Sequence, residues 1–225
     1  RVAPGSHERG RARAQSTMAT PPRRVKSRRA ERPTLHYRQW GFRSWYLVGD
    51  AYACVPPKCG STAFMRGVDP HERDGLRFRR RMLALKRGPF GPQDMIRRED
   101  GRARFLAVRD PVDRFRSLWR HITRSDAVRD WWTTRHRIPR EIATPAELLE
   151  YIRAVPMGNY HWYPQAGYLV PGVTLVRYTE LLDRLGLPNA PHNVGREPTA
   201  DDEVPEDEVR ALYPLDVELW QKVCS

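Results

Sequence analysis

The apolar positions of the chain fall into short runs that alternate with stretches of helical periodicity. Aromatic and β-branched residues fill Trp45 to Val55, which predicts one buried strand ending at Pro56-Pro57. Arg104 to Val108 and Val173 to Val176 predict two further strands. Strands that alternate with helices are typical of an α/β fold, so we expect a central, mostly parallel sheet flanked by helices.

Helices are predicted between and after these strands. Pro111 suits the first turn of a helix, and the apolar residues that follow it, Phe115, Leu118, Trp119 and Ile122, fall on one helix face. The other predicted helices are Ser61 to Gly67, Leu76 to Arg87, Pro145 to Ala154 with Thr144 as its cap, Glu180 to Leu185, Glu206 to Tyr213 and Leu215 to Val223.

Length and charge divide the chain into two parts. With 225 residues, 40% of them apolar, the chain is long enough for one domain with a real core. Residues 1–34 hold 10 basic and 2 acidic residues and little apolar surface, which predicts a disordered basic arm before a single α/β domain at 35–225. Residues 35–196 still carry a net charge of +12, whereas 197–219 carry −8. The overall charge of +13 favours a polyanionic substrate or partner.

The sequence also indicates in which cellular compartment the protein is expected. No apolar stretch approaches the roughly 18 residues that span a bilayer, and the N-terminus lacks the apolar segment of about 7 to 15 residues found in secretory signals. Three cysteines, Cys54, Cys59 and Cys224, favour a reducing compartment over a disulfide framework. We therefore expect a cytoplasmic protein without a membrane span. An organellar transit peptide, or a true start at Met18, stays open for the Arg-rich leader.

The loop after the first strand carries the first candidate site. Pro57 to Thr62 (P-K-C-G-S-T) joins a predicted strand to a predicted helix, so backbone N–H groups and a helix N-terminus face an anion. Gly60 allows close backbone approach, Ser61 and Thr62 can donate hydrogen bonds and cap the helix, and Lys58 supplies positive charge. The pattern predicts a phosphate or sulfate cradle that differs from a Walker A loop, where lysine follows the glycine. A capped helix start without a ligand is the alternative.

A second strand-to-helix turn has similar chemistry. Arg109 to Ser117 (R-D-P-V-D-R-F-R-S) follows the strand that ends at Val108. Arg109 offers a planar fork to a phosphate, and Ser117, two helical turns later, can face the same anion. Asp110 suits the positive end of the helix. Asp-Pro alone commonly begins helices, but two such turns in one α/β chain predict a composite anion site.

Together the two turns resemble the motifs of sulfotransferases that use 3′-phosphoadenosine 5′-phosphosulfate. Pro57 to Thr62 is similar to their 5′-phosphosulfate loop, P-K-x-G-[ST]-[ST], and Arg109 to Ser117 to their 3′-phosphate motif, R-D-P-x-x-R-x-x-S. Two further segments resemble the carbohydrate branch, which acts on chondroitin, dermatan and related glycans: His161 to Gln165 (H-W-Y-P-Q) and Val176 to Leu181. Pro191-His192-Asn193 is more weakly similar to a later asparagine motif of the whole family. The resemblance spans residues 45 to 223. It lacks the branch's membrane anchor and luminal cysteines, which favours a microbial or viral relative.

The resemblance implies a P-loop-like sulfotransferase fold and a set of binding residues. These are Pro57, Lys58, Cys59, Gly60, Ser61 and Thr62 for the 5′-phosphosulfate, and Arg109 and Ser117 for the 3′-phosphate. It also implies in-line transfer of the sulfuryl group to a hydroxyl, less readily an amine, of a carbohydrate-type acceptor. A basic body suits an acidic acceptor. Lys58 is then catalytic because it stabilises charge on the leaving group, and no metal is required.

The acceptor must lose a proton, so the reaction needs a general base. Four residues are candidates: His161, His71, His121 and Glu180. We predict His161, because it lies in a family segment and an ordinary histidine pKa near 6.5 suits proton transfer at neutral pH. A core histidine that anchors the Trp162 loop is the alternative. Trp162 and Tyr178 are candidates for packing on the adenine or the acceptor, although core packing is commoner for such residues.

Other function classes remain open. A basic nucleic-acid-binding protein would bind non-specifically through the arm and the basic surface, with affinity that depends on salt. A P-loop-like nucleotide kinase would need a G-K-[ST] order and an acidic strand end for Mg²⁺, and the chain has neither. A zinc site at Cys54, Cys59 and His71 lacks a fourth ligand, so we predict no metal.

Overall fold

The computed structural model describes residues 43–72, 74–156, 158–188 and 203–225. The basic arm predicted at 1–34 and the Pro191-His192-Asn193 segment lie outside the described residues. Within the described part, strands and helices alternate along the chain.

Four strands of the described chain form one sheet. They are β1 (Trp45–Val48), β2 (Ala51–Cys54), β3 (Arg104–Val108) and β4 (Thr174–Arg177), in the spatial order β1-β2-β3-β4. β1 pairs antiparallel with β2, whereas β2 with β3 and β3 with β4 are parallel pairs. The expectation of a mostly parallel sheet is confirmed. Since β2, β3 and β4 run in the same direction, the loops that follow them leave from the same edge of the sheet.

The prediction of one strand across Trp45 to Val55 is wrong. Gly49, with a φ of 59°, and Asp50 reverse the chain, so that Val48 pairs with Ala51 and Trp45 with Cys54. A glycine followed by aspartate is a two-residue hairpin signal. The apolar run continues on both sides of this turn because both strands are buried, and hydrophobicity alone therefore conceals the reversal.

The helices of the described chain cover the sheet and extend beyond it. They are α1 (Ser61–Val68), α2 (Gly75–Ala84), α3 (Pro92–Ile96), α4 (Pro111–Ile122), α5 (Asp126–His136), α6 (Pro145–Ala154), α7 (Leu181–Arg184), α8 (Glu206–Leu212) and α9 (Pro214–Cys224), with a 3₁₀ helix at Gln165–Tyr168. The prediction for α6 is confirmed: the helix spans Pro145–Ala154, and the Thr144 hydroxyl accepts the Glu147 N–H and caps its start. α3, α5 and the 3₁₀ helix were not predicted.

Both faces of the sheet are buried. Ala53, Ala107 and Val176 pack on one face against residues of α1, α2 and α7. Tyr52, Leu106 and Val108 pack on the other against Tyr168 of the 3₁₀ helix and Leu219 of α9. This alternation follows from the two-residue period of a strand.

α4 contributes a separate core beside the sheet. Its predicted apolar face is buried, and it packs with residues of α5, α6 and α8 that include Trp132, Leu148 and Val209. No helix in the described ranges is both long and apolar enough to cross a membrane.

Candidate anion-binding site

The loops that follow β2 and β3 meet at one edge of the sheet. The first loop runs from Val55 to Gly60 and leads into α1, and the second, Arg109-Asp110, leads into α4. Arg109 Nη1 donates a hydrogen bond to the backbone oxygen of Lys58 at 2.9 Å. The structure thus brings together two turns that lie 51 residues apart in sequence.

Lys58 occupies an unusual backbone conformation in the first loop. Its φ is 67°, in the left-handed region that non-glycine residues rarely adopt, and Gly60 follows at 80°. The Cys59 N–H donates to the Pro56 oxygen at 3.0 Å and closes the turn. Backbone strain of this kind is commonly retained at functional sites, where the surrounding structure holds it in place.

The Lys58 side chain is half-buried among other cationic groups. Its Nζ contacts Nδ1 of His121. Burial, and then the charges of Arg109 and Arg114, lower the pKa of Lys58 from its ordinary 10.5 to about 7. Near neutral pH this lysine therefore divides between its charged and neutral forms, and a bound anion would favour the charged one.

The Arg109 guanidinium has one N–H donor that is not used by the described residues. This guanidinium lies 4.8 Å above the ring of Tyr178, and its Nε is buried without a hydrogen-bond partner among the described residues. Tyr178 therefore supports Arg109, a different contact from the adenine or acceptor packing considered from the sequence. An unpaired buried donor is costly unless a ligand or water satisfies it, which favours a ligand at this position.

Carboxylates near the two loops are committed to other partners. Asp110 caps α4 by accepting the N–H groups of Val112 and Asp113 at 2.8 and 3.2 Å, and it also pairs with Arg210. Asp216 pairs with Arg114. Over the described ranges, no carboxylate forms an ion pair with Lys58 or Arg109. The positive charge of the site is left for an external anion.

Arg114 anchors the first loop to α4, a role that sequence reasoning missed. Its Nε donates to the Pro57 oxygen at 3.1 Å, and its Nη2 donates to the Tyr163 oxygen at 2.7 Å. The available signal was the second arginine of the R-D-P-x-x-R motif, which was left without a role. Ser117 and His121 follow Arg114 by three and seven residues, so the three lie on one face of α4. Ser117 is half-buried on this face.

The hydroxyls of the first loop do not cap α1, contrary to expectation. Gly60 occupies the N-cap position, no side chain caps the helix, and Ser61 and Thr62 are its first two residues. The left-handed conformation of Gly60 decides this, because the chain enters the helix one residue earlier than a hydroxyl cap requires. Cys59 is buried with its thiol donating to Gln165 Oε1 at 3.1 Å, and burial raises its pKa to about 11.

His161, the predicted base, lies in an aromatic cluster. Its ring centroid is 4.1 Å from that of Tyr160 and 4.7 Å from that of Trp132. Both ring nitrogens are buried without a hydrogen-bond partner in the described chain. Burial and the charge of Lys58 hold the pKa of His161 well below its usual range. The ring is therefore neutral near pH 7 but is a weaker base than the ordinary histidine that the sequence-based prediction assumed, and both of its nitrogens are buried. Trp162, by contrast, is a core residue whose Nε1 donates to the Val155 oxygen.

His121 is the histidine that contacts Lys58. Burial, followed by the charge of Lys58, lowers its pKa to about 4, so the ring is neutral and Nδ1 can accept the lysine proton. The other two candidate bases have different surroundings. His71 is exposed, with its backbone N–H donating to Asp69, and Glu180 pairs with Arg177 at 3.8 Å. The geometry thus makes His121 the closest competitor of His161.

Comparisons with known proteins found no match: no family model matches the chain, and neither does a curated protein or a solved structure. The residues described by the structure contain no group of three or more histidine, cysteine or acidic side chains placed to bind a metal.

Proposed function

We propose that this protein is a sulfotransferase that moves a sulfuryl group from 3′-phosphoadenosine 5′-phosphosulfate to a hydroxyl of a carbohydrate-type acceptor. One observation carries the proposal. Lys58 and Arg109 extend from the carboxyl ends of adjacent parallel strands, their loops are hydrogen-bonded, and neither has a carboxylate partner within the described residues. The two sequence motifs that suggest this donor are the ones that supply these loops. The mostly parallel sheet with helices on both faces supports the P-loop-like fold that is part of the proposal.

The donor carries two anionic groups, and the site offers a cationic position for each. The 5′-phosphosulfate would bind the first loop, with Lys58 and the N-terminus of α1 as its positive partners. The 3′-phosphate would bind Arg109, whose Nε lacks a partner in the described chain, and Ser117. Since Lys58 is half-buried, its attraction to an anion is weakened less by water than it would be at a fully exposed position.

The residues also support the chemistry of transfer. The donor supplies an activated sulfuryl group, whose bond to the bridging phosphate oxygen breaks as the acceptor oxygen bonds to sulfur. Lys58, in its ammonium form, stabilises the negative charge that develops on that bridging oxygen. His161 is the predicted base that takes the acceptor proton, although burial and the charge of Lys58 make its neutral ring a weaker base than an ordinary histidine. His121, in contact with Lys58, is the alternative base. The basic surface favours an acidic acceptor.

The test is a calorimetric titration with 3′-phosphoadenosine 5′-phosphate, the desulfated product, at about 0.15 M salt, where loose charge attraction is screened. We expect binding by the wild type, loss of binding in Arg109→Ala, and full binding in Arg140→Ala. Arg140 is a matched control because it is an exposed arginine that pairs with Asp130 at 3.4 Å. Binding by the wild type would justify an acceptor screen with acidic and neutral glycans. No binding by folded wild type would refute the donor assignment and favour the nucleic-acid-binding alternative.

A further inference from the structure

One buried side chain contacts both anion-binding loops. Gln165, at the start of the 3₁₀ helix, is fully buried. Its Oε1 accepts the backbone N–H of Arg109 at 2.9 Å and the thiol of Cys59 at 3.1 Å. Its Nε2 donates to the backbone oxygen of Arg109 at 2.9 Å. The amide thus pairs with both the backbone N–H and the backbone oxygen of Arg109 in the second loop. It contacts the first loop through Cys59, the residue after Lys58.

A buried carboxylate fixes the orientation of this amide. Asp216 of α9 is fully buried, and its two oxygens accept the backbone N–H groups of Gln165 and Ala166 at 2.9 and 2.8 Å. The Gln165 Nε2 also donates to Asp216 Oδ2 at 3.4 Å. An ionised carboxylate only accepts hydrogen bonds, so the amide must present its NH₂ to Asp216 and to the Arg109 oxygen, which leaves its own oxygen for the Arg109 N–H and the Cys59 thiol. Arg114, 3.6 Å from the same carboxylate, balances its charge.

We propose that Gln165 is a positioning residue that sets the distance between the two anion-binding loops. It acts through Arg109 and Cys59 and needs no contact with the substrate. The spacing of the loops is the quantity that must match the separation of two anionic groups on one ligand. The expected effect of Gln165 on ligand affinity rests on the proposed function, whereas its expected effect on the position of the loops does not.

The three cysteines provide readouts of loop position that do not depend on any ligand. Cys59 is buried and hydrogen-bonded to Gln165, Cys54 is buried in β2, and Cys224 is exposed. Labelling with N-ethylmaleimide, followed by mass analysis of the peptides, measures each thiol separately. Cys224 reports that the reagent is active, and Cys54 reports opening of the whole fold.

The test variant is Gln165→Met, which keeps the length of the side chain and removes its hydrogen bonds. Gln221→Met is the matched control, because Gln221 is exposed on α9. In Gln165→Met we expect Cys59 to be labelled about tenfold faster, consistent with the loss of one or two buried hydrogen bonds, while Cys54 stays protected. Hydrogen exchange at the Arg109 amide should accelerate as well. The control should behave as the wild type.

The affinity measurement separates this inference from the proposed function. We expect Gln165→Met to bind 3′-phosphoadenosine 5′-phosphate about tenfold more weakly and Gln221→Met to bind it as the wild type does. Faster Cys59 labelling in a protein whose wild type binds no bisphosphate would support the positioning role and refute the donor. Unchanged labelling together with unchanged affinity would overturn the positioning role.

A second variant distinguishes the positioning role from a general loss of folding. Gln165→Asn keeps the amide but withdraws it from the loops by one carbon–carbon bond, so it should show the same changes with less disturbance of the core. If Cys54 and Cys59 both become reactive in both variants, Gln165 holds the fold as a whole, and the positioning role is overturned.

Discussion

Nζ of Lys58 contacts Nδ1 of His121, which joins the first loop to α4 through two side chains that can both carry positive charge. Two positive charges in contact at this half-buried position repel each other, so at most one of the two groups is charged near neutral pH. The pKa of His121 is about 4 and that of Lys58 about 7, so the shared proton belongs to the lysine. A bound anion would hold it there.

This relationship predicts the pH dependence of anion binding. The pKa of Lys58 in the folded protein is about 7, so the ammonium form is lost as the pH rises above that value. Affinity for 3′-phosphoadenosine 5′-phosphate should therefore fall by about tenfold per pH unit above about pH 7, since binding then requires uptake of one proton. Calorimetry at several pH values measures this. Lys58→Met should bind weakly and with no such slope. A flat profile in the wild type would remove Lys58 from the binding site.

Lys58 should also reduce the stability of the fold. Its φ is 67° and its side chain is half-buried, whereas Lys86 has a φ of 55° but is exposed. Asparagine tolerates this backbone region better than lysine, so Lys58→Asn and Lys86→Asn should each gain up to about 1 kcal/mol from the backbone. Only Lys58→Asn should gain more, because it also removes a partly desolvated charge that has cationic neighbours.

The extra gain has a defined pH window. Below about pH 7, Lys58 is charged in both the folded and the unfolded chain, so the folded state bears the full cost of burial. Between about 7 and 10.5 the unfolded chain binds more protons, and wild-type stability from this group rises with pH. Urea unfolding should therefore show the largest advantage of Lys58→Asn below pH 7. An advantage equal to that of Lys86→Asn at every pH would contradict this account.

The two candidate bases can be separated by rate. His161→Ala should lower turnover by about 10² to 10⁴ if His161 takes the acceptor proton. Affinity for 3′-phosphoadenosine 5′-phosphate should change little, which serves as the control for an intact donor site. A loss of less than about tenfold in His161→Ala, together with a large loss in His121→Ala, would assign the base to His121.

The buried ion pair between Arg114 and Asp216 should matter far more than a surface pair. The two side chains are 3.6 Å apart and almost completely buried. Asp216→Ala leaves the guanidinium unpaired and should lower the free energy of unfolding by about 3 to 5 kcal/mol. Asp130→Ala breaks the exposed pair with Arg140 and should cost at most about 1 kcal/mol. Urea titrations measure both. Equal losses would mean that leaving Arg114 without its carboxylate costs no more than breaking an exposed ion pair, which would contradict this prediction.

Local signals in the sequence were sufficient for most elements near the site. Pro111 and Asp110 mark the start of α4, and Thr144 marks that of α6, because helix starts depend on residues within one turn. The hairpin turn at Gly49 was the main failure, since hydrophobicity on both sides resembled a single strand. Ser61 and Thr62 were assigned to a cap that Gly60 occupies, which depends on backbone angles that composition does not specify.

The sequence by itself determined the alternating strands and helices, the basic charge and the two strand-to-helix turns. Only the tertiary structure decided how these turns meet. Gln165 and Arg109 lie 56 residues apart, Lys58 and His121 lie 63 apart, and Arg114 pairs with Asp216 of the last helix. Such contacts depend on how the parallel strands pair and on which face of each helix packs against the core. Those are properties of packing between distant segments, whereas periodicity and capping act within a few residues of the chain.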